Sequence, residues 1–296
     1  MKHPQALAGI ALALLALACF GALDTTTKHV MLTVPLLLAL WFRYMFQAVA
    51  TTLVMWPHRG RALLRTAHPK FQVLRGALLL TSSLFAFLSL KFMPVGEFTA
   101  LLMLTPIVIT LLAAHRLRER VSPLRWALVL GGFAGTLIIV RPGGELFGWA
   151  MLLPLALVAS NAWFQILTSQ LARTEDAVTM HFYTGWTGAL LATLPLPFVW
   201  QLPQQASDWL GLLLMGLLAS VGHYLLILAY RRAPAATLTP FLYAQIGFVM
   251  LGGWIVFSHV PDGWSLLGMG LIAICGALSA WLTAREGRVI PEPVES

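Results

Sequence analysis

Arg43 lies eight residues into an apolar run that begins near residue 35, roughly 12 Å from the nearer end if the run is a membrane helix. A guanidinium at that depth costs about 2.5–3.5 kcal/mol on insertion scales, so it must face a cavity or meet an acid. Asp24 and Glu97 lie on the same side of neighbouring apolar runs and are the nearest acids. Asp24 and Lys28 are spaced i, i+4 and can also pair with each other on one helix face. Two readings stay open for this cluster. It sets helix register as an interfacial group of charges, or it forms an outer gate that recognises a charged part of a solute. Lys28 is close enough to the end of its run to snorkel to the surface.

A second polar group sits deeper. Thr105-Pro106, Tyr243 and Gln245 all fall roughly 14–18 Å into their apolar runs. Proline removes a backbone donor and frees the carbonyl four residues earlier, which leaves a polar atom at depth unless a neighbouring Ser or Thr takes it. Asn161, Trp163 and Gln165 add stacking and hydrogen-bonding groups. His181 and His223 are isolated in apolar runs. Each is either an interhelical hydrogen-bonding residue or a proton carrier. These types suit binding of a small organic solute by stacking and hydrogen bonds. They do not suit covalent chemistry: no HExxH, GxSxG, Gly-rich phosphate loop or pair of intramembrane aspartates occurs. Nothing in the pattern calls for a cofactor or a metal ion, and no filter-like motif suggests an ion channel.

The elements that position these residues follow from composition. The 296 residues are 59% hydrophobic and 10% charged, against roughly 25% charged in soluble domains. Mean hydropathy is +0.81. Ten apolar runs, near 6–30, 35–56, 72–91, 94–114, 124–141, 146–171, 177–199, 208–230, 234–257 and 264–284, each approach the 20 or so residues that span a bilayer. This predicts an all-α polytopic membrane protein with ten transmembrane helices. Lys2 and the run through Ala16-Leu17-Ala18 could pass for a signal peptide, but the run continues to membrane length and reads as the first helix. An inside N-terminus places fifteen Lys and Arg on the inner side and three on the outer, so both termini are expected in the cytoplasm of a bacterial-type inner membrane. The basic balance thereby reflects topology, and nucleic acid is not expected as a partner.

A shift of 140 residues lays the first half on the second. Phe42, Pro57, Gly76, Pro94 and Thr99 recur as Phe182, Pro197, Gly216, Pro234 and Thr239. Five spans per copy is an odd number, so the copies enter the membrane from opposite sides, as in secondary transporters built from inverted repeats. The expected units are residues 1–143 and 144–285, two inverted five-helix repeats, followed by a disordered cytoplasmic tail over 286–296. Thr105 then corresponds to Gln245 and Met103 to Tyr243, which places them across one cavity. Gly131 and Gly135 form a GxxxG on the fifth span, and Gly276 with Ala280 a counterpart on the tenth. Those spans read as scaffold or subunit contact, and a homodimer is open to the chain.

The chain resembles the drug/metabolite transporter superfamily, in its EamA-type members. The resemblance rests on Leu74-Arg75-Gly76, then Pro94…Glu97…Thr105-Pro106, then Leu117-Arg118-Glu119-Arg120-Val121 and Val140-Arg141-Pro142-Gly143. In the second half it rests on Ala233-Pro234…Thr239-Pro240…Tyr243…Gln245 and Val260-Pro261-Asp262. One departure is His259, where the family has an acid. Asp24…Lys28…Trp41-Phe42-Arg43-Tyr44 is similar to the branch of S-adenosylmethionine and riboflavin uptake carriers. The resemblance implies spans one to four and six to nine around a central cavity, with five and ten behind.

The expected function is secondary active transport of small organic metabolites (amino-acid, nucleoside-like or vitamin-like solutes) by alternating access. Asp24, Arg43, Glu97, Thr105, Trp163, Gln165, Tyr243 and Gln245 are the expected substrate-binding residues. The partners are the solute and the lipid bilayer, with coupling to a proton or an exchanged solute open. Two other readings stand beside it: a membrane-embedded lipid-modifying enzyme and a non-transporting scaffold.

Overall fold

The computed structural model describes residues 3–92, 98, 101–141, 149–198, 200–258 and 260–289. Among these there is no strand. The helices are α1 (His3–Val30), α2 (Leu36–Arg59), α3 (Pro69–Phe92), α4 (Thr105–Arg116), α5 (Pro123–Val140), α6 (Leu152–Leu171), α7 (Ala177–Thr193), α8 (Ala206–Arg232), α9 (Ala235–Leu242), α10 (Ala244–Phe257) and α11 (Gly263–Val289). Seven segments among the described residues are long and apolar enough to cross a membrane. Among the helices outside that count, α7 has 17 residues and α4 has 12. The α11 helix continues to Val289, into the first residues of the expected tail.

Helix starts follow local chemistry. Asp176 caps α7, accepting from the backbone N–H groups of Val178 and Thr179 at 3.0 Å each. Ser122 precedes Pro123 and accepts from the Arg125 N–H at 3.3 Å, which satisfies a donor that the helix leaves open. Proline suits the first helical turn because its missing N–H would be unpaired there anyway.

The helices pack in a pattern that survives exchange of the two halves. α1 runs against α8, and its counterpart α6 runs against α3; α1 also meets α9 and α10, as α6 meets α4. α2 packs on α7, and α5 on α11. In that last pair two glycines meet: a Cβ added at Gly135 would lie 2.9 Å from the Gly268 carbonyl oxygen. The close approach therefore needs small residues on both helices. Gly135 meets Gly268, and Gly131 meets Cys275.

Spans four and nine are interrupted at corresponding places. Turn residues Met103 and Leu104 precede α4, and Tyr243 separates α9 from α10. The prolines beside these breaks leave no carbonyl free. Thr105 Oγ1 donates to Leu102 O at 2.6 Å, and Thr239 Oγ1 donates to Ala236 O at 3.1 Å. Each hydroxyl replaces the N–H that the next residue, Pro106 or Pro240, lacks. Of the two outcomes open for the carbonyl that Pro106 frees, that of Leu102, the satisfied one is observed.

Candidate functional site

One stripe from each of several helices converges on a cavity of about 230 Å³ at the middle of the bundle. α1 supplies Leu17, Phe20 and Asp24; α3 supplies Leu79, Ser82, Ser83 and Ala86; α6 supplies Leu157, Asn161, Phe164 and Gln165. These spacings of three and four residues are those of one helix face. α2 adds Arg43, the α4 region Met103 and Thr105, α8 His223 and Leu226, and α10 Gln245. Toward the C-terminal end of α4 the space is filled by Ile109, Ala113, Ile166 and Leu238, all 0% exposed. Thr110 donates to Thr239 there at 2.9 Å and ties the two halves together.

Asp24 is exposed and accepts from Gln245 Nε2 at 2.8 Å, a bond between the halves. Arg43 donates to Tyr44 Oη at 3.1 Å and Ser83 Oγ at 3.2 Å, with its guanidinium over the Tyr44 ring. Arg43 and Asp24 share the cavity, and no ion pair joins them. Lys28 stands over the Phe257 ring at 4.8 Å instead of pairing with Asp24. Glu97 lies outside the described residues. Gln165 donates to Asn161 at 2.7 Å and accepts from Tyr230 Oη at 2.6 Å.

Of the expected residues, Asp24, Arg43, Thr105, Gln165 and Gln245 come together in this cavity, and Trp163 and Tyr243 do not. Tyr243 is 0% exposed and packs with Val129, Ile246 and Ile272, against the α5–α11 pair. Trp163 faces Arg116, whose guanidinium stands 5.2 Å over its ring. Each of these aromatics is two residues from a cavity glutamine, and positions i and i+2 do not share a helix face. Phe20, Ser83, Phe164 and His223 were not singled out for the site. The 140-residue correspondence of Ser83 with His223 was the available signal.

His181 is an interhelical hydrogen-bonding residue. Its Nδ1 and carbonyl meet Gln47 at 3.2 and 3.1 Å, and its Nε2 meets Ser220 at 2.9 Å. Arg75, counted among the inner-side charges, is 0% exposed. It donates to Thr184 Oγ1 at 2.6 Å and to the Met180 carbonyl, and faces Phe164. A buried guanidinium needs this many acceptors to offset its lost hydration.

The end whose connections carry the inner-side basic residues is laced by charge. Glu119 bridges Arg173 at 2.6 Å and the Ala236 N–H at the start of α9 at 3.0 Å. Glu175 meets His68 Nδ1 at 3.0 Å and the Ala67 N–H at 3.1 Å, and Asp176 meets Arg59 at 2.7 Å. Burial pushes the Glu175 and Asp176 carboxyls up, but these bonds outweigh it and hold both below the usual carboxylate range.

Apolar helices around a central cavity with polar groups from both halves define a multi-pass membrane transporter of small solutes. The chain matches the EamA-like transporter family over residues 7–141. A riboflavin transporter of Rhizobium johnstonii is 32% identical over 278 residues, 92% of this chain and 90% of that protein. An S-adenosylmethionine uptake transporter of Rickettsia bellii is 26% identical over 272 residues, 89% and 90% of the two chains. A solved crystal structure shares the fold with a TM-score of 0.80 at 22% identity, over 97% of this chain and 99% of its own. This chain belongs to the EamA-like transporter family.

Proposed function

We propose that the protein is a secondary carrier that moves a flat, nitrogen-containing heterocyclic metabolite across the inner membrane by alternating access. One observation carries this reading: a mid-bundle cavity whose polar wall is shared by the two halves, with Asp24, Arg43 and Thr105 from one and Gln165, His223 and Gln245 from the other. The relatives' names, riboflavin transporter and S-adenosylmethionine uptake transporter, suggest the solute class. A flavin and an adenosyl group share a planar ring with hydrogen-bonding edges. The rings of Phe20 and Phe164 suit stacking on such a plane. At about 230 Å³ the cavity is smaller than the roughly 300–1,000 Å³ of ordinary ligand pockets. It accommodates a ring system, and a larger solute would part the helices.

In this reading the units 1–143 and 144–285 are inverted repeats that rock about the central site, with both termini cytoplasmic. Asp24 is the carboxylate among the described cavity residues and the group through which proton or exchange coupling would act. The test is uptake into proteoliposomes of a labelled panel containing riboflavin, S-adenosylmethionine, nucleosides and amino acids. We expect saturable uptake of a heterocyclic member. Uptake no faster than in empty liposomes for the whole panel would remove the reading.

A further inference from the structure

Every polar side chain of the cavity wall except one has a hydrogen-bond partner among the described residues. Asp24 has Gln245, Arg43 has Tyr44 and Ser83, Asn161 has Gln165, Ser82 has Ser160, and Thr105 has the Leu102 carbonyl. The exception is His223. Its Nδ1 is buried without a partner, and the ring lies against Phe20, centroids 4.8 Å apart, and Phe164, 5.9 Å and nearly perpendicular.

A buried, unpaired imidazole nitrogen packed against two phenyl rings carries a desolvation penalty that a structural residue would avoid. His181, one helix away, shows the structural solution, with both ring nitrogens and its carbonyl engaged. Ser83, the residue that the 140-residue shift places at the position of His223, also satisfies itself, donating to Leu79 O at 3.0 Å. His223 alone is held in place by rings while its nitrogens stay unspent.

We propose that His223 is the specificity-determining residue of the cavity: it reads the hydrogen-bonding edge of the transported heterocycle, while Phe20 and Phe164 set the plane of its ring. This deepens the carrier reading above and rests on it. Neutral imidazole offers one donor and one acceptor on opposite sides of the ring. Nδ1 is buried, so an imide edge, a donor N–H flanked by carbonyls, or an amidine edge would meet Nε2, which donates or accepts according to the tautomer. A site built to hydrogen-bond such an edge discriminates strongly against an analogue that lacks it, because the site's own polar group is then left unpaired.

The experiment measures proteoliposome uptake of labelled riboflavin and of labelled S-adenosylmethionine by the full chain, as wild type, His223→Phe and His223→Gln. Thermal unfolding in detergent is followed in parallel. For whichever solute the wild type carries, His223→Phe should raise KM on the order of tenfold or more. His223→Gln, which keeps a donor and an acceptor, should recover part of that loss. Stability of His223→Phe should equal or exceed that of the wild type, since an unpaired polar group has been removed. If riboflavin is the solute, competition by a flavin methylated at its imide nitrogen should be weak on the wild type and no weaker than that of riboflavin on His223→Phe. A wild-type KM in His223→Phe overturns the proposal, as does a transport loss that tracks loss of thermal stability. Wild-type protein that carries neither solute nor any panel member overturns the carrier reading itself, and the role of His223 with it.

Discussion

Arg43 spends two of its five donors on hydroxyls, at Tyr44 and Ser83. The side chain lines the cavity together with Asp24 and Gln245. We expect Arg43→Ala to abolish most transport in proteoliposomes while membrane insertion, read by fractionation and gel filtration, stays intact. Arg43→Lys should rescue only in part, because an ammonium cannot hold the Ser83 hydroxyl and a solute with one planar fork. Normal uptake by Arg43→Ala would assign this side chain to helix packing. Depth along a span was readable for Arg43, Asp24, Gln165 and Gln245. Helix phase was less so. Trp163 and Gln165, like Tyr243 and Gln245, are two residues apart and thus about 200° apart around a helix, so both members of a pair could not line one cavity. Which member turns inward depends on the neighbouring helix: Gly132 has no Cβ to exclude the Tyr243 ring.

The interrupted spans work by substitution of one donor for another. Thr239 is 0% exposed, donates to the Ala236 carbonyl that Pro240 abandons, and accepts from Thr110. Thr239→Val keeps the shape and removes both bonds, so we expect a loss of about 1–3 kcal/mol in stability, read as a lower unfolding temperature in detergent. Thr239→Ser should stay close to wild type. An unchanged midpoint for Thr239→Val would mean that another group reaches the orphaned carbonyl. Thr105-Pro106 was legible in the sequence as a kink near mid-membrane. The two helix breaks fall in matching register, at Met103–Leu104 and at Tyr243, although the Thr-Pro pairs do not: one follows its break and the other precedes it.

At the scale of the whole molecule, the two ends of the bundle differ in how they are tied. The end marked as inner by its basic residues holds Glu119–Arg173, His68–Glu175 and Arg59–Asp176. The positions equivalent to Arg173, Glu175 and Asp176 are Thr33, Pro35 and Leu36, and the one equivalent to Glu119 is His259. Thr33 donates to Asp208 at 2.6 Å, and among the described residues the outer end has one ion pair, Arg141–Asp262 at 2.5 Å, against three at the inner end. Exposed pairs contribute at most about 1 kcal/mol each. Glu119, only 10% exposed, also caps α9, and truncating it should favour opening of the inner end. In a background lacking Cys19 and Cys275, we expect Ala113→Cys to react several-fold faster with an impermeant maleimide from the inner side when Glu119→Ala is added. Equal labelling rates would remove the latch. Reporter fusions after Arg173 and after Pro203 should read inside and outside respectively; two reporters on the same side would sink the inverted arrangement.

Local composition and period sufficed for the elements, because a segment that must satisfy its own backbone in lipid has little choice but to be a helix of membrane length. They also sufficed for the 140-residue correspondence and for the depth of each polar side chain, since both are linear properties of the chain. The partner of each polar group depended on packing. Arg75 reads as an inner-side charge at the start of the third span and is buried between α6 and α7. Tyr243 and Trp163 read as solute contacts and turn toward other helices. His223 reads as either an interhelical hydrogen-bonding residue or a proton carrier, and stands unpaired in the cavity wall. Such outcomes turn on helix rotation, set by which small and large residues meet across an interface, and a single strand of letters does not contain that pairing.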